Sequence, residues 1–248
     1  MDIRALLFDV NGTLIDIETD EGLEEIYRTI AHFLMYEGIT LHRWEVRDLY
    51  FQIMQRHRAA SSEKFVEWDA VSVWREFLQQ TGSDYTRGLP LEKLAQLPLF
   101  LAELHRGIAR KRLRLYPQVQ ETLDQLRSRY RLAVVSDAQS AYAVPELRAV
   151  GIRDYFNPII VSGDYGYRKP DPRLFQKALA TLEIRPEQAL YLGNDLYHDI
   201  LGAQQVGMKA ILVSYNGANI SSETIKPDYV IYNFAELIQA VNYFGKPG

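Results

Sequence analysis

The run Ala5-Leu6-Leu7-Phe8-Asp9-Val10-Asn11-Gly12-Thr13-Leu14 changes character at one residue: apolar side chains stop at Asp9, and Asn11-Gly12 supply turn chemistry directly after it. The pattern predicts a short buried strand that delivers a carboxylate to a loop. Downstream the texture becomes helical. Leu23, Ile26, Tyr27, Ile30 and Phe33 or Leu34 fall on one helix face, with Gly38 as a stop. Further helices are expected around Trp44 to Gln55, Phe65 to Gln79 and Leu91 to Ala109, with Gly88-Leu89-Pro90 as punctuation.

After Leu115 strands and helices alternate. Pro117 suits the start of a helix running through Arg127, and Leu132 to Val135 is a β-branched apolar strand ending at Ser136. Strand-like runs recur at Ile159 to Val161, Leu190 to Leu192, Ala210 to Val213 and Tyr229 to Ile231. Repeated βαβ units imply an α/β fold with a doubly wound, mainly parallel, Rossmann-like sheet. An all-α insertion separates the first strand from the rest, so the expected division is residues 1–16 and 116–248 as core and 17–115 as a helical cap.

Composition narrows the chemistry. A formal net charge of −4 in 248 residues argues against a nucleic-acid partner, and no apolar run approaches membrane-spanning length. The chain contains no cysteine, which removes disulfides, thiol nucleophiles and thiolate metal sites. With no signal-peptide pattern at Met1-Asp2-Ile3-Arg4, the reading is a cytoplasmic monomer or small homo-oligomer. The five histidines lack metal-ligand spacing, and Gly163 with Gly166 does not make a dinucleotide fingerprint. Aromatic residues of the insertion, Trp44, Trp68 and Trp74 among them, are read as its core, and the basic run Arg110 to Arg114 as a solvated connection.

Asp9, Ser136, Lys169 and the cluster Asn194 to Asp199 all fall at or just beyond the C-terminal ends of expected strands, the edge where open α/β sheets bind ligands. Singly, each has an ordinary explanation as a cap or a surface charge; together they define a site.

Leu6 to Leu14 resembles the first motif of the haloacid dehalogenase-like hydrolases. Val134-Val135-Ser136 resembles the second motif of that superfamily. Arg168-Lys169-Pro170-Asp171-Pro172 with Phe175 resembles the third, and Leu192-Gly193-Asn194-Asp195 with Asp199, Gly202-Ala203 and Gly207-Met208 the fourth. The insertion after the first motif is similar to the family's helical cap. The resemblance implies a nucleophilic Asp9, with Lys169 and Asn11 completing the catalytic set. It implies that Thr13 and Ser136 hold an anionic, phosphorylated small substrate, helped by backbone amides of the turn after Asp9; Asp137 is placed with these substrate residues, where many relatives have a neutral residue, and can also cap the following helix. It also implies Mg2+ on Asp9, the Asn11 main-chain carbonyl, and Asn194, Asp195 or Asp199.

Two departures matter. Phosphatases of the family carry a second Asp where this chain has Asn11, and an amide cannot exchange a proton. Asn194 stands where the fourth motif usually has Asp. The reading is therefore a magnesium-dependent phosphatase slowed by Asn11. A 2-haloacid dehalogenase is the alternative, since halide leaves without a proton, and a non-catalytic binding or regulatory member of the fold is the third reading.

Overall fold

The computed structural model describes residues 1–217, 220 and 222–245. Six parallel strands form one sheet: β1 (Ala5–Phe8), β4 (Arg131–Ser136), β5 (Ile159–Val161), β6 (Ala189–Gly193), β7 (Lys209–Val213) and β8 (Tyr229–Ile231), in the order β5-β4-β1-β6-β7-β8. The first strand is thus central. Ala5 and Phe8 are in register with Arg131 and Val134 of β4 on one side, and with Ala189 and Leu192 of β6 on the other.

Alternation sorts the strand side chains onto two faces. Leu6, Phe8, Leu132, Val134, Leu190 and Leu192 pack on one side, beneath helices α6 (Val119–Leu126), α7 (Ser140–Ala149) and α10 (Glu236–Gly245). Ala5, Leu7, Ala133, Val135, Ala189 and Tyr191 face the other, beneath α8 (Pro172–Leu182) and α9 (Gly202–Gln205). Burial of both faces explains why these strands read as continuous apolar runs rather than alternating ones. The doubly wound architecture is as expected.

The insertion carries α1 (Glu24–Tyr36), α2 (Arg43–Ala60), α3 (Ala70–Thr81), the short α4 (Asp84–Arg87) and α5 (Leu91–Ala109) around its own core, where Tyr27, Trp74 and Phe77 are buried. It is not all-α. Its ends form an antiparallel ribbon of β2 (Ile15–Thr19) and β3 (Arg110–Leu115). The basic run is therefore one strand of a charged ladder: Arg114 and Arg112 meet Asp16, Arg112 meets Glu18, and Lys111 meets Asp20. Opposite charges facing each other across a ribbon favour this pairing over like charges.

The third helix also starts later than expected. Asp69 caps α3 by accepting from the N–H groups of Val71 and Ser72, and the preceding segment is extended. Val66 bridges antiparallel to Tyr167, with Glu67 N–H donating to the Gly166 carbonyl (3.0 Å) and Arg168 N–H to that of Phe65 (2.9 Å). Gln139 of the core accepts from Ala70 N–H (3.0 Å) and donates to the Trp68 carbonyl (2.6 Å). A second tie joins α5 to α7, where Arg106 donates to buried Glu146 (2.7 Å). Among the described residues no helix is long and apolar enough to cross a membrane.

Candidate active site

Asp9 leaves the C-terminal end of the central strand, flanked by Ser136 at the end of β4 and by Asn194 just past β6. This is the reversal point of the strand order, where ligand crevices form. The turn after it requires Gly12: its φ is +79°, and an added Cβ would lie 2.6 Å from Asn194 Nδ2. Gly12 N–H donates to Ile15 O and Thr13 N–H to Val10 O, so these two amides serve the turn itself rather than an anion.

Asp9 is buried and its oxygens are held from several sides. Oδ1 accepts from Lys169 Nζ (2.8 Å) and Ser136 Oγ (2.9 Å), and Oδ2 from Thr13 Oγ1 (3.2 Å). The Thr13 hydroxyl also lies 3.1 Å from Asn194 Oδ1. Thr13 and Ser136, expected on the substrate, thus contact Asp9. Burial pushes the Asp9 carboxyl above the usual carboxylate range, with Lys169 pulling the other way.

Lys169 is equally enclosed. Its ammonium reaches Asp9 Oδ1, Asp199 Oδ1 (2.5 Å) and the Tyr191 hydroxyl (3.1 Å). Burial would strip the proton from this lysine, but the carboxylates of Asp199 and Asp9 outweigh it and hold its pKa well above the ordinary value.

Asp199, expected among the metal ligands, has both carboxylate oxygens engaged by protein donors. Its Oδ1 meets Lys169 and Tyr191, and its Oδ2 accepts from the N–H groups of Asn194 and Asp195 (3.0 Å each). Both oxygens are occupied in fixing the lysine and the turn. Asp195 is likewise committed: its Oδ1 accepts from Tyr197 (2.8 Å) and His198 (2.6 Å), capping the π-helical turn Leu196–Leu201. Asp137 Oδ1 accepts from Lys169 N–H (2.8 Å), and its Oδ2 sits 3.5 Å from Arg168 Nε, so it steadies the lysine's backbone.

In front of Asp9 lies a cleft of about 150 Å³, walled by Asn11, Asp137, Arg168, Lys169 and Asn194 among others. An adjoining pocket of about 180 Å³ shares Asn11, Asp137 and Arg168 and is closed by Glu67, Arg106 and Tyr142. Two polar atoms on the walls of this joined space, Asn11 Oδ1 and Arg168 Nε, are buried without a hydrogen-bond partner. His198 also lines the Asp9 cleft.

Sequence reading missed Tyr191, Glu67 and Arg106. For Tyr191 a signal existed: a tyrosine inside the fully buried strand Ala-Leu-Tyr-Leu-Gly must satisfy its hydroxyl. It does so against the Val135 carbonyl (2.8 Å), Asp199 and Lys169. Tyr191→Phe is expected to lower stability by about 1–3 kcal/mol by leaving buried acceptors short of a donor. Denaturant melts check this, and an unchanged midpoint would show that the hydroxyl carries no weight.

A family model for haloacid dehalogenase-like hydrolases matches residues 3–207. The chain belongs to that family. It is 28% identical to glyceraldehyde 3-phosphate phosphatase of Methanothermobacter thermautotrophicus over 86% of each chain. It is 31% identical to pyrophosphatase PpaX of Bacillus anthracis over 96% of each. Among solved structures, 2-haloacid dehalogenase of Pseudomonas syringae pv. Tomato aligns at a TM-score of 0.70 with 23% identity, over 98% of this chain and all of that one. The protein is therefore a hydrolase of this fold, with relatives named as phosphatases.

Proposed function

We propose that this chain is a phosphatase of small phosphorylated metabolites, acting through an aspartyl-phosphate on Asp9. The observation that carries the reading is the buried Asp9 carboxylate, held by Lys169, Ser136 and Thr13 at the edge of the cleft. In this reading residues 1–16 and 116–248 are the catalytic core and 17–115 the cap that closes over the substrate. Similarity to relatives named as phosphatases along most of the chain supports it over dehalogenation, because the dehalogenase likeness, at 23% identity, speaks to fold alone.

Asp9 attacks phosphorus, the bond to the leaving oxygen breaks, and water later releases phosphate. Lys169 keeps the nucleophile oriented and offsets charge near the phosphoryl oxygens. Arg168, which lines both pockets and whose Nε lies 3.5 Å from Asp137, brings a positive charge to the substrate side of the site.

The donors suit a hard cation. Among the described residues no three acidic or imidazole side chains gather into a metal-binding group, so the set rests on neutral oxygens and one carboxylate. The oxygens of Asp9 and Asn194 converge on the Thr13 hydroxyl, whose single proton cannot serve both. Magnesium accepts one carboxylate with neutral oxygens and water. Asp9, the Asn11 main-chain carbonyl and Asn194 would hold it. When bound, it offsets repulsion between anionic nucleophile and anionic substrate.

An activated aryl phosphate tests the reading. With magnesium, the expected result is a burst of leaving group near one equivalent of protein, and a phosphoryl adduct that peptide mapping assigns to Asp9. Asp9→Asn should show neither. Halide release from a 2-haloacid without metal, in a protein that never becomes phosphorylated, would overturn the proposal.

A further inference from the structure

The position that carries the second aspartate in relatives holds Asn11, so another group must handle the proton if unactivated esters are to turn over. The pocket beside Asn11 contains three carboxylates: Asp137, Glu146 and Glu67. Glu146 is spent on Arg106, through contacts of 2.7 and 3.4 Å. Asp137 is engaged by Lys169 N–H (2.8 Å) and lies 3.5 Å from the Arg168 guanidinium. Glu67 differs. Its oxygens accept only from neutral donors, the Ser162 hydroxyl (2.8 Å) and Trp68 N–H (3.1 Å), and among the described residues no cation lies within ion-pair distance.

Glu67 is also fixed in space. The antiparallel bridge between Val66 and Tyr167 brings this cap segment alongside the loop that carries Arg168 and Lys169. Facing it across the pocket are Asp137, Arg168, Arg106, Glu146 and Tyr142. Burial and the charge of Asp137 push its carboxyl upward, while Ser162, Trp68 N–H and Arg168 oppose the shift. A carboxyl group kept toward its protonated form is what a general acid needs at neutral pH.

We propose that Glu67, supplied by the cap, is the proton donor and acceptor that Asn11 cannot be. The inference rests on the phosphatase reading. In the first step the Asp9 oxygen to phosphorus bond forms, the phosphorus to alkoxide bond breaks, and the Glu67 proton passes to the departing alkoxide, giving a neutral alcohol. In the second, the Glu67 carboxylate takes a proton from water as its oxygen attacks phosphorus. The bond to Asp9 breaks, inorganic phosphate leaves, and Glu67 is protonated again. Asn11 Oδ1, buried and unpartnered, accepts a hydrogen bond from the leaving hydroxyl or the water and orients it.

A four-protein comparison tests this: the unmodified chain, Glu67→Gln, Asn11→Asp and the double variant, each with magnesium on glycerol 1-phosphate and on an aryl phosphate. Glu67→Gln should lower kcat on glycerol 1-phosphate by about 10²-fold or more, the lower end of general acid-base catalysis, with KM moving less. The aryl-phosphate burst should survive, because an aryl oxide leaves without a proton. In the double variant, Asp at position 11 should supply the proton and return turnover to that of Asn11→Asp. Peptide mapping must show Asn11 intact, since an Asn-Gly pair deamidates to the residue under test. Unchanged kcat in Glu67→Gln, or an equal loss in both backgrounds, overturns the role and leaves Glu67 a structural tie. Absence of any phosphoenzyme overturns the phosphatase reading and this inference with it.

Discussion

Replacing Lys169 by Met is expected to lower folding stability by about 3–5 kcal/mol and to abolish phosphorylation of Asp9. The lysine is 2% exposed and lies between two buried carboxylates, Asp9 and Asp199. Removing the cation leaves both charges uncompensated, which costs far more than an exposed pair. The sign with pH follows. In the variant Asp9, already pushed up by burial, loses the cation that opposed the shift, so the folded state binds more protons and stability falls as pH rises. The deficit should therefore shrink toward acid and widen toward neutrality. In the unmodified chain the Lys169 pKa is itself raised, so its contribution is complete below the ordinary lysine value and fades only as pH climbs through the raised one. Denaturant unfolding of both proteins between pH 4 and 8 (conditions of about that range keep the unfolded lysine charged) checks the trend. A deficit independent of pH would show that the folded variant takes up no proton when Lys169 is gone.

Gly193→Ala should be nearly as damaging, for a steric reason. A Cβ at this position would lie 2.4 Å from the Asp199 carboxylate carbon and from one of its oxygens. No real contact is that short, so Asp199 must move. Its displacement breaks the bonds to the Asn194 and Asp195 amides and to Lys169 together. Overpacking of this kind costs about 1–3 kcal/mol. The catalytic loss should be larger, about 10²-fold in kcat/KM, the scale of a small misplacement of reacting groups. The sensitive measurement is the rate of the aryl-phosphate burst at saturating magnesium. A normal burst would mean that the turn flexes enough to spare the lysine.

What the sequence made legible was whatever depends on local pattern. The runs at Ala5 to Phe8, Ile159 to Val161 and Tyr229 to Ile231 are strands with the expected bounds, because continuous apolar runs between turn residues have few other uses. The convergence of Asp9, Ser136, Lys169 and Asn194 follows from strand ends sharing one edge of a sheet. Pairing between distant segments was not legible. The β2–β3 ribbon joins Asp16 to Arg114, and each strand alone resembles an exposed charged run. Phe65 to Asp69 reads as the start of a helix by pattern, and bonds to Gly166, Arg168 and Gln139 across the cap interface hold it out of one. Motif spacing gives the position of Asp195 and Asp199 but not the direction of their side chains, and the hydrogen bonds from backbone amides to Asp199 Oδ2 and Asp195 Oδ1 were not legible.

The central place of β1 has a consequence for how the chain is born. This strand is made long before its neighbours in the sheet, β4 and β6, Phe8 lying beside Val134 and Leu192. At synthesis rates of roughly 5–20 residues per second, its second edge stays unpaired for about ten seconds or longer. The helical insertion packs largely within itself and is the natural first folding unit, since local contacts close fast. Until Gly193 is synthesised, then, the nascent protein is a folded insertion tethered to an apolar strand with no completed sheet. That is the interval in which chaperone capture, or aggregation, would be decided.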